Sequence, residues 1–153
     1  MAMTRTISLA IDSRPECIEL LSLALRGLCG LTALPPLAIA EIDLAMVEAV
    51  NNAVEHAYRG EPGHSVVVEL RLSPGCLGLS VRDRGEPMDP WRLAGSAEIA
   101  EPDRADPATW RPRGRGLAII KSCMDSVEYQ IQDGANILVM SRKLDRAGPG
   151  SGS

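Results

Sequence analysis

No stretch of this 153-residue sequence approaches the roughly 18 consecutive apolar residues that a membrane-spanning helix needs. The opening MAMTRTISLAIDSRPE also lacks the apolar core of a signal peptide, so a cytoplasmic protein with no membrane partner is expected. Cysteines are few, at 17, 29, 76 and 123, and they form neither a CxxC pair nor a Cys/His cluster. That spacing argues against a zinc site and a disulfide framework, and the four are read as buried thiols. There is no excess of positive charge. A formal net charge of −4 supplies no electrostatic footprint for DNA or RNA, so no nucleic-acid partner is expected. The remaining composition, 45% hydrophobic and 24% charged, is that of a globular chain with one core. We expect one domain over residues 1–144. Residues 145–153, which include AGPGSGS, have the composition of a flexible tail of the kind added during cloning.

The pattern along the chain is βαα, ββ, a long irregular segment, α, ββ, with no internal repeat. TISLAID alternates as a short strand, and Ser13 with Glu16 three residues on reads as a capping box opening a helix whose Ile18, Leu21, Leu25 and Leu28 share a face. Its outward charges are Arg14, Glu19 and Arg26. After LTALPP a long helix is expected from about residue 36 to 58. SVVVELRLS and CLGLSVRD, joined through PG, form a predicted hairpin, and VEYQIQ and NILVMSRKL, joined through DGA, a second. Between them lies a proline-rich stretch of about thirty residues, with prolines 87, 90, 102, 107 and 112 and no sustained period. Irregular segments of that length in compact domains are commonly functional, and this one is read as a lid. The expected architecture is α+β, a two-layer sandwich with helices on one face of a mixed, mainly antiparallel sheet.

Three short motifs carry chemistry. On the long helix, EAVNNAVEHAY puts Glu48, Asn52 and Glu55 within about 60° of one another, while Ile42, Met46, Ala49, Ala53 and Ala57 line the opposite side. One stripe packs; the other is either a solvated face or a site. VRDRGEP ends a strand on Asp83 and turns through Gly85 and Pro87, which suits a carboxylate receiving a ligand N–H or an Asx turn. RGRGL sets Gly114 and Gly116 at the mouth of a helix, with arginines 111, 113 and 115 beside it, where unpaired backbone N–H groups attract anions. No GK[ST] follows, so it is not a P-loop. A long loop precedes it and a third glycine is missing, which makes it a poor dinucleotide fingerprint.

Taken in order, ExxxNxxxHAY on a helix, DxGxP after a strand, a long loop and GxGL opening another helix resemble the N, G1 and G2 boxes of the GHKL (Bergerat) ATP-binding fold shared by gyrase, histidine kinases and MutL. Within it, VEAVNNAVEHAY, VRDRGEP and GRGLAIIKSCMDSVEY are most similar to the small anti-sigma factor serine/threonine kinases, over about residues 4–144. The resemblance implies ATP and Mg²⁺ as cofactors. Asn52 corresponds to the magnesium-ligating asparagine, and Glu48 to the catalytic base that takes the proton of the attacking hydroxyl. Asp83 matches the acceptor of the adenine amino group, with Gly85 and Pro87 completing that box; Gly114, Gly116 and Leu117 match the phosphate-cradling box. Arg111, Arg113 and Arg115 are equal candidates for the γ-phosphate. Asn136 occupies the place where relatives often carry a threonine near the adenine, and His56 and Tyr58 fit the pattern either as packed side chains or as ligand contacts.

In such kinases the protein sequesters a sigma factor and phosphorylates a serine or threonine of an anti-anti-sigma antagonist, a STAS-domain protein, and it acts as a homodimer. These are the partners the resemblance implies, with Arg26 as the candidate sigma-factor contact. The chain lacks a sensor kinase's histidine-bearing dimerisation helix and has no room for a gyrase-type transducer domain, so a free-standing kinase is expected. Two alternatives stand beside it: a non-catalytic ATP-dependent binding module, and a switch-type kinase of STAS-domain proteins that binds no sigma factor.

Overall fold

The structure is a computed structural model that describes residues 3–89 and 115–144. Strand β1 (Arg5–Asp12) leads into helix α1 (Pro15–Cys29) and helix α2 (Pro36–Asn52), which continues as a π-helical turn (Ala53–Ala57). Strands β2 (Ser65–Ser73) and β3 (Cys76–Asp83) form the first hairpin; helix α3 (Arg115–Cys123) precedes the second, β4 (Ser126–Gln132) and β5 (Ala135–Lys143). The sheet order is β1-β2-β3-β5-β4. Among the described residues every pairing is antiparallel, where a mixed, mainly antiparallel sheet was expected.

Local chemistry explains the elements. Both long helices open on a proline, whose fixed φ and missing N–H suit a first helical turn. The hairpin turns use left-handed residues, Gly75 in one and Asp133-Gly134 in the other, the latter having the backbone twist of a two-residue hairpin loop. Strand alternation then sorts the faces. Val66, Val68 and Leu70 of β2, Leu77, Leu79 and Val81 of β3, and Leu138 and Met140 of β5 are buried. They meet Ile18, Leu21 and Leu25 of α1, Ile42, Met46 and Val50 of α2, and Leu117 and Ile120 of α3 in one core. β1 is an edge strand, exposed over Arg5–Ser8, with Leu9 and Ile11 packed against the core.

Two further expectations change. The capping box at Ser13 does not form: α1 is capped by Arg14 without a side-chain bond. Ser13 is instead fully buried, its hydroxyl donating to the Glu61 carbonyl (2.6 Å) and accepting from the His64 N–H (3.1 Å). The loop before β2 crosses the end of β1 there, and burial of its backbone groups outcompetes a local cap. Arg26 donates through its Nε to the buried Asp43 of α2 at 2.9 Å, beside two bonds from the Ser22 hydroxyl, while its side chain stays 59% exposed. Of the four free cysteines only Cys29 and Cys123 are buried; Cys17 and Cys76 are half-buried. The expected lid over most of its length, Arg111, Arg113, Gly114 and the expected tail at 145–153 lie outside the described residues.

Candidate nucleotide site

The polar stripe of α2, the end of β3, the start of α3 and the inner faces of β4 and β5 enclose a cleft of about 1050 Å³, at the upper end of the range for ligand pockets. One wall is polar: Glu48, Asn52, Glu55 and His56. The other is largely apolar, made by Val81, Met88, Ile119, Leu138 and the ring of Tyr129, with Asp83 at its end. Pro87, Gly116 and Leu117 also line the cleft, so members of all three motifs meet in one place.

Helical spacing brings Glu48 and Asn52 together, and tertiary packing aims them. Gly116, in the first turn of α3, lies so close that a β-carbon there would stand 3.0 Å from Glu48 Oε2 and 3.3 Å from Asn52 Oδ1. A bare glycine thus lets both side chains meet the helix N-terminus, where unpaired backbone donors are concentrated. Burial raises the proton affinity of Glu48, and the neighbouring Glu55 charge adds to it. A carboxylate so raised is a better general base near neutral pH.

At the other end, Asp83 is the last residue of β3, on the strand's inner face, and its cross-strand partner in β5 is Asn136. Asn136 Nδ2 donates to Asp83 Oδ1 (2.8 Å) and to the Gly85 carbonyl (3.0 Å), while the Gly85 N–H donates to the same Oδ1 (3.0 Å). Asn136, expected near a ligand, therefore packs behind Asp83 and grips it. Burial pushes the Asp83 carboxyl up, and the bonds from Asn136 and Gly85 partly offset that. Gly85 itself is required by close packing: a β-carbon would lie 2.3 Å from the Ala57 carbonyl oxygen. The next residue, Glu86, donates its N–H to that same carbonyl at 2.9 Å.

Tyr58 belongs to the scaffold. Its hydroxyl donates to the Ser65 carbonyl (2.8 Å) and accepts from the Arg84 N–H (2.7 Å), and its ring stacks on His64 at 4.5 Å. It joins the end of the π turn to β2 and to the Asp83–Gly85 turn. His56 lines the cleft. Sequence reading missed Tyr129, whose hydroxyl accepts from the Met88 N–H at 2.9 Å and so fixes the segment after Pro87. The alternation of Val127, Tyr129 and Ile131 in VEYQIQ carried the signal, since that face adjoins Asn136 and Leu138. Arg115 opens α3. Among the described residues no cluster of three His, Cys, Asp or Glu side chains could hold a metal ion, and no helix is long and apolar enough to cross a membrane.

An antiparallel sheet covered on one face by helices, with a cleft between a long helix and the sheet's central strands, defines the class as a two-layer α+β ligand-binding domain. The sequence profile of the histidine kinase-like ATPase domain matches residues 11–142, and the chain belongs to that family. It is 29% identical over 136 residues to the serine-protein kinase RsbW of Listeria innocua, covering 87% of this chain and 84% of that protein. To RsbW of Bacillus pumilus it is 28% identical over 152 residues, 92% of this chain and 86% of the relative. Among solved structures, the RsbU and RsbW domains of Rv1364c from Mycobacterium tuberculosis align with TM-score 0.65 at 22% identity, over 93% of this chain but only 33% of that one. The SiaB-SiaC complex from Pseudomonas aeruginosa aligns with TM-score 0.56 at 17% identity, over 89% of each chain. Both structural likenesses speak to the fold.

Proposed function

We propose that the chain is an ATP-dependent serine/threonine protein kinase of the anti-sigma factor type, acting on a hydroxyl of a STAS-domain antagonist. The observation that carries this reading is the convergence of Glu48 and Asn52 on the start of α3, in the same cleft that presents Asp83 at its far end. A binding module would need the acceptor for a base and the donors for phosphates; it would have no use for a half-buried carboxylate of raised proton affinity beside them. The serine-protein kinase relatives support the same reading.

In this reading the apolar wall of Val81, Ile119, Leu138 and Tyr129 takes the faces of adenine, and the Asp83 carboxylate accepts from its amino group. Guanine offers a carbonyl there and is rejected. The donor set fits Mg²⁺ through the Asn52 carboxamide oxygen, a hard ligand, with phosphate oxygens and water supplying the rest. When bound, the ion would neutralise charge on the phosphates. Glu48 receives the proton of the attacking hydroxyl, and the backbone N–H groups at Gly114 and Gly116 hold the phosphates, with Arg111, Arg113 and Arg115 as candidate γ-phosphate contacts. A homodimer and a sigma-factor partner are part of the proposal.

The commitment of Arg26 to Asp43 favours a second reading of the partners: a switch-type kinase that phosphorylates its antagonist without engaging a sigma factor through α1. The test is transfer from radiolabelled ATP to a purified cognate STAS-domain protein, alongside capture of sigma factor by the same preparation. Transfer with capture supports the anti-sigma kinase, and transfer alone supports the switch kinase. Adenine-nucleotide binding with no transfer would overturn both.

A further inference from the structure

Asp83 can discriminate adenine from guanine only while it accepts and does not donate. An ionised carboxylate offers oxygens alone, but a protonated one carries an O–H that can pair with the guanine carbonyl. Burial favours the protonated form. What opposes it in this chain is first the cross-strand carboxamide of Asn136 and then the Gly85 N–H.

That side chain is 3% exposed, and its geometry leaves little choice. Both of its N–H groups are used, one on Asp83 Oδ1 at 2.8 Å and one on the Gly85 carbonyl at 3.0 Å. Turned the other way, its carbonyl oxygen would face those two acceptors, so the amide is locked with its donors toward Asp83. With the Gly85 N–H on the same atom, Oδ1 is held by two donors. Both bonds among the described residues fall on Oδ1, which leaves Oδ2 for a ligand. A threonine at this position has one hydroxyl hydrogen and could satisfy only one of the two acceptors.

We infer that Asn136 is a positioning residue that sets nucleobase selectivity, by holding Asp83 as an acceptor-only group at the base-reading end of the cleft. The inference rests on the proposed adenine-nucleotide reading and adds to it the residue that determines selectivity. It also explains why a polar pair is tolerated at the rim of an apolar core, since a carboxylate and a doubly donating carboxamide satisfy each other there.

The charged and titratable groups around Asp83 do not mimic the effect. Tyr58 and Tyr129, the phenols nearest to it, have their proton affinity raised by burial and stay neutral at neutral pH. Glu48, Glu55, His56, Glu86 and Asp89 line the same cleft, and they do so alike in the wild type and in variants at 136. The difference between profiles isolates Asp83.

The experiment is calorimetric titration of the full chain with Mg-ADP and with Mg-GDP between about pH 5.5 and 8, for wild type, Asn136→Leu and Asn136→Thr. The expected result is a wild-type ADP preference that holds over most of this range. In Asn136→Leu the ADP-to-GDP ratio falls roughly tenfold or more and falls further with acidification, while Asn136→Thr lies between. If Asn136→Leu does not fold by circular dichroism, Asn136→Thr carries the same test, with a smaller change in the same direction. An equal loss of both nucleotides with a wild-type pH profile would show Asn136 to be packing alone and overturn the inference, leaving the nucleotide reading intact. No ADP binding by the wild type would bring down the nucleotide reading, and this inference with it.

Discussion

Gly85 stands against Ala57 so closely that a β-carbon on it would lie 2.3 Å from the Ala57 carbonyl oxygen and 2.8 Å from the Ala57 β-carbon. The atoms met are mostly backbone, so they cannot swing aside. Gly85→Ala must therefore push the Asp83–Glu86 turn away from the π turn, at about 1–3 kcal/mol for forced overpacking. Thermal melting should show that loss, and ADP affinity should fall further than stability does, because the displaced turn carries Asp83. A variant with unchanged melting and unchanged affinity would show that the turn yields freely.

Glu48→Gln keeps the shape of the side chain and removes the proposed base. Phosphotransfer to the antagonist should drop by roughly 10²-fold or more with little change in ADP affinity. Single-turnover transfer alongside calorimetry separates the two effects. Retained transfer would exclude Glu48 as the base.

Asp83→Asn turns the proposed base-reading acceptor into a group that can also donate. The preference for ADP over GDP should fall by at least about tenfold, as expected where a hydrogen-bonding site loses its discriminating group. Circular dichroism must show a folded variant, and an undiminished preference would place base recognition elsewhere.

Stability should also vary with pH through these two carboxyls. Burial raises both, and Glu55 raises Glu48 further, so their folded pKa values lie above the unfolded ones. Each then binds its proton more tightly in the folded chain. That contribution is complete below the unfolded values near about pH 4 and is lost as pH rises through the folded values. Without nucleotide, these groups should make the protein melt higher in mild acid than at neutral pH. Melting curves of Glu48→Gln/Asp83→Asn should be flatter over that window. An unchanged slope in the double variant would assign the effect to other groups.

Arg26→Ala should act through Asp43. The carboxylate is 6% exposed and, among the described residues, keeps the Ser22 hydroxyl alone once the guanidinium is gone. Arg26 is itself 59% exposed, so solvent screening discounts the ion pair, and a loss of about 1–2 kcal/mol in chemical denaturation is expected. Sigma-factor binding measured on a charge-reversed Arg26 would thus report fold stability before it reported an interface. Wild-type stability in Arg26→Ala would release this residue for a partner role.

The pattern of local success and failure has a physical basis. The stripe of Glu48 and Asn52 was legible because helical spacing is set within a few residues, and both hairpins were legible from Gly75 and Asp133-Gly134 at their turns. Ser13 was misread because its local role as a cap lost to a tertiary one: the loop at Glu61 and His64 needed its hydroxyl more than α1 did. The roles of Asn136, Tyr129 and Arg26 were hidden for a related reason. Each depends on which residue lies opposite across the sheet or between helices, and no window along the chain contains that information. The π turn at Ala53–Ala57 was likewise read as ordinary helix, since one looser turn leaves the apolar spacing nearly unchanged.

The strand order makes β3 and β5 neighbours, although Asp83 and Asn136 are separated by 53 positions along the chain. Closing such a loop is slow, so the Asp83–Asn136 end of the cleft should mature late in folding, after the local hairpins. Its thermodynamic cost grows only with the logarithm of length, and doubling the loop adds only about 0.6 kcal/mol. A change of length at residues 90–114 therefore costs this pairing little, whereas one within α3 would strike Leu117 and Ile120 of the core. The Asp83–Asn136 contact is thus entropically insulated from changes of chain length between its two strands.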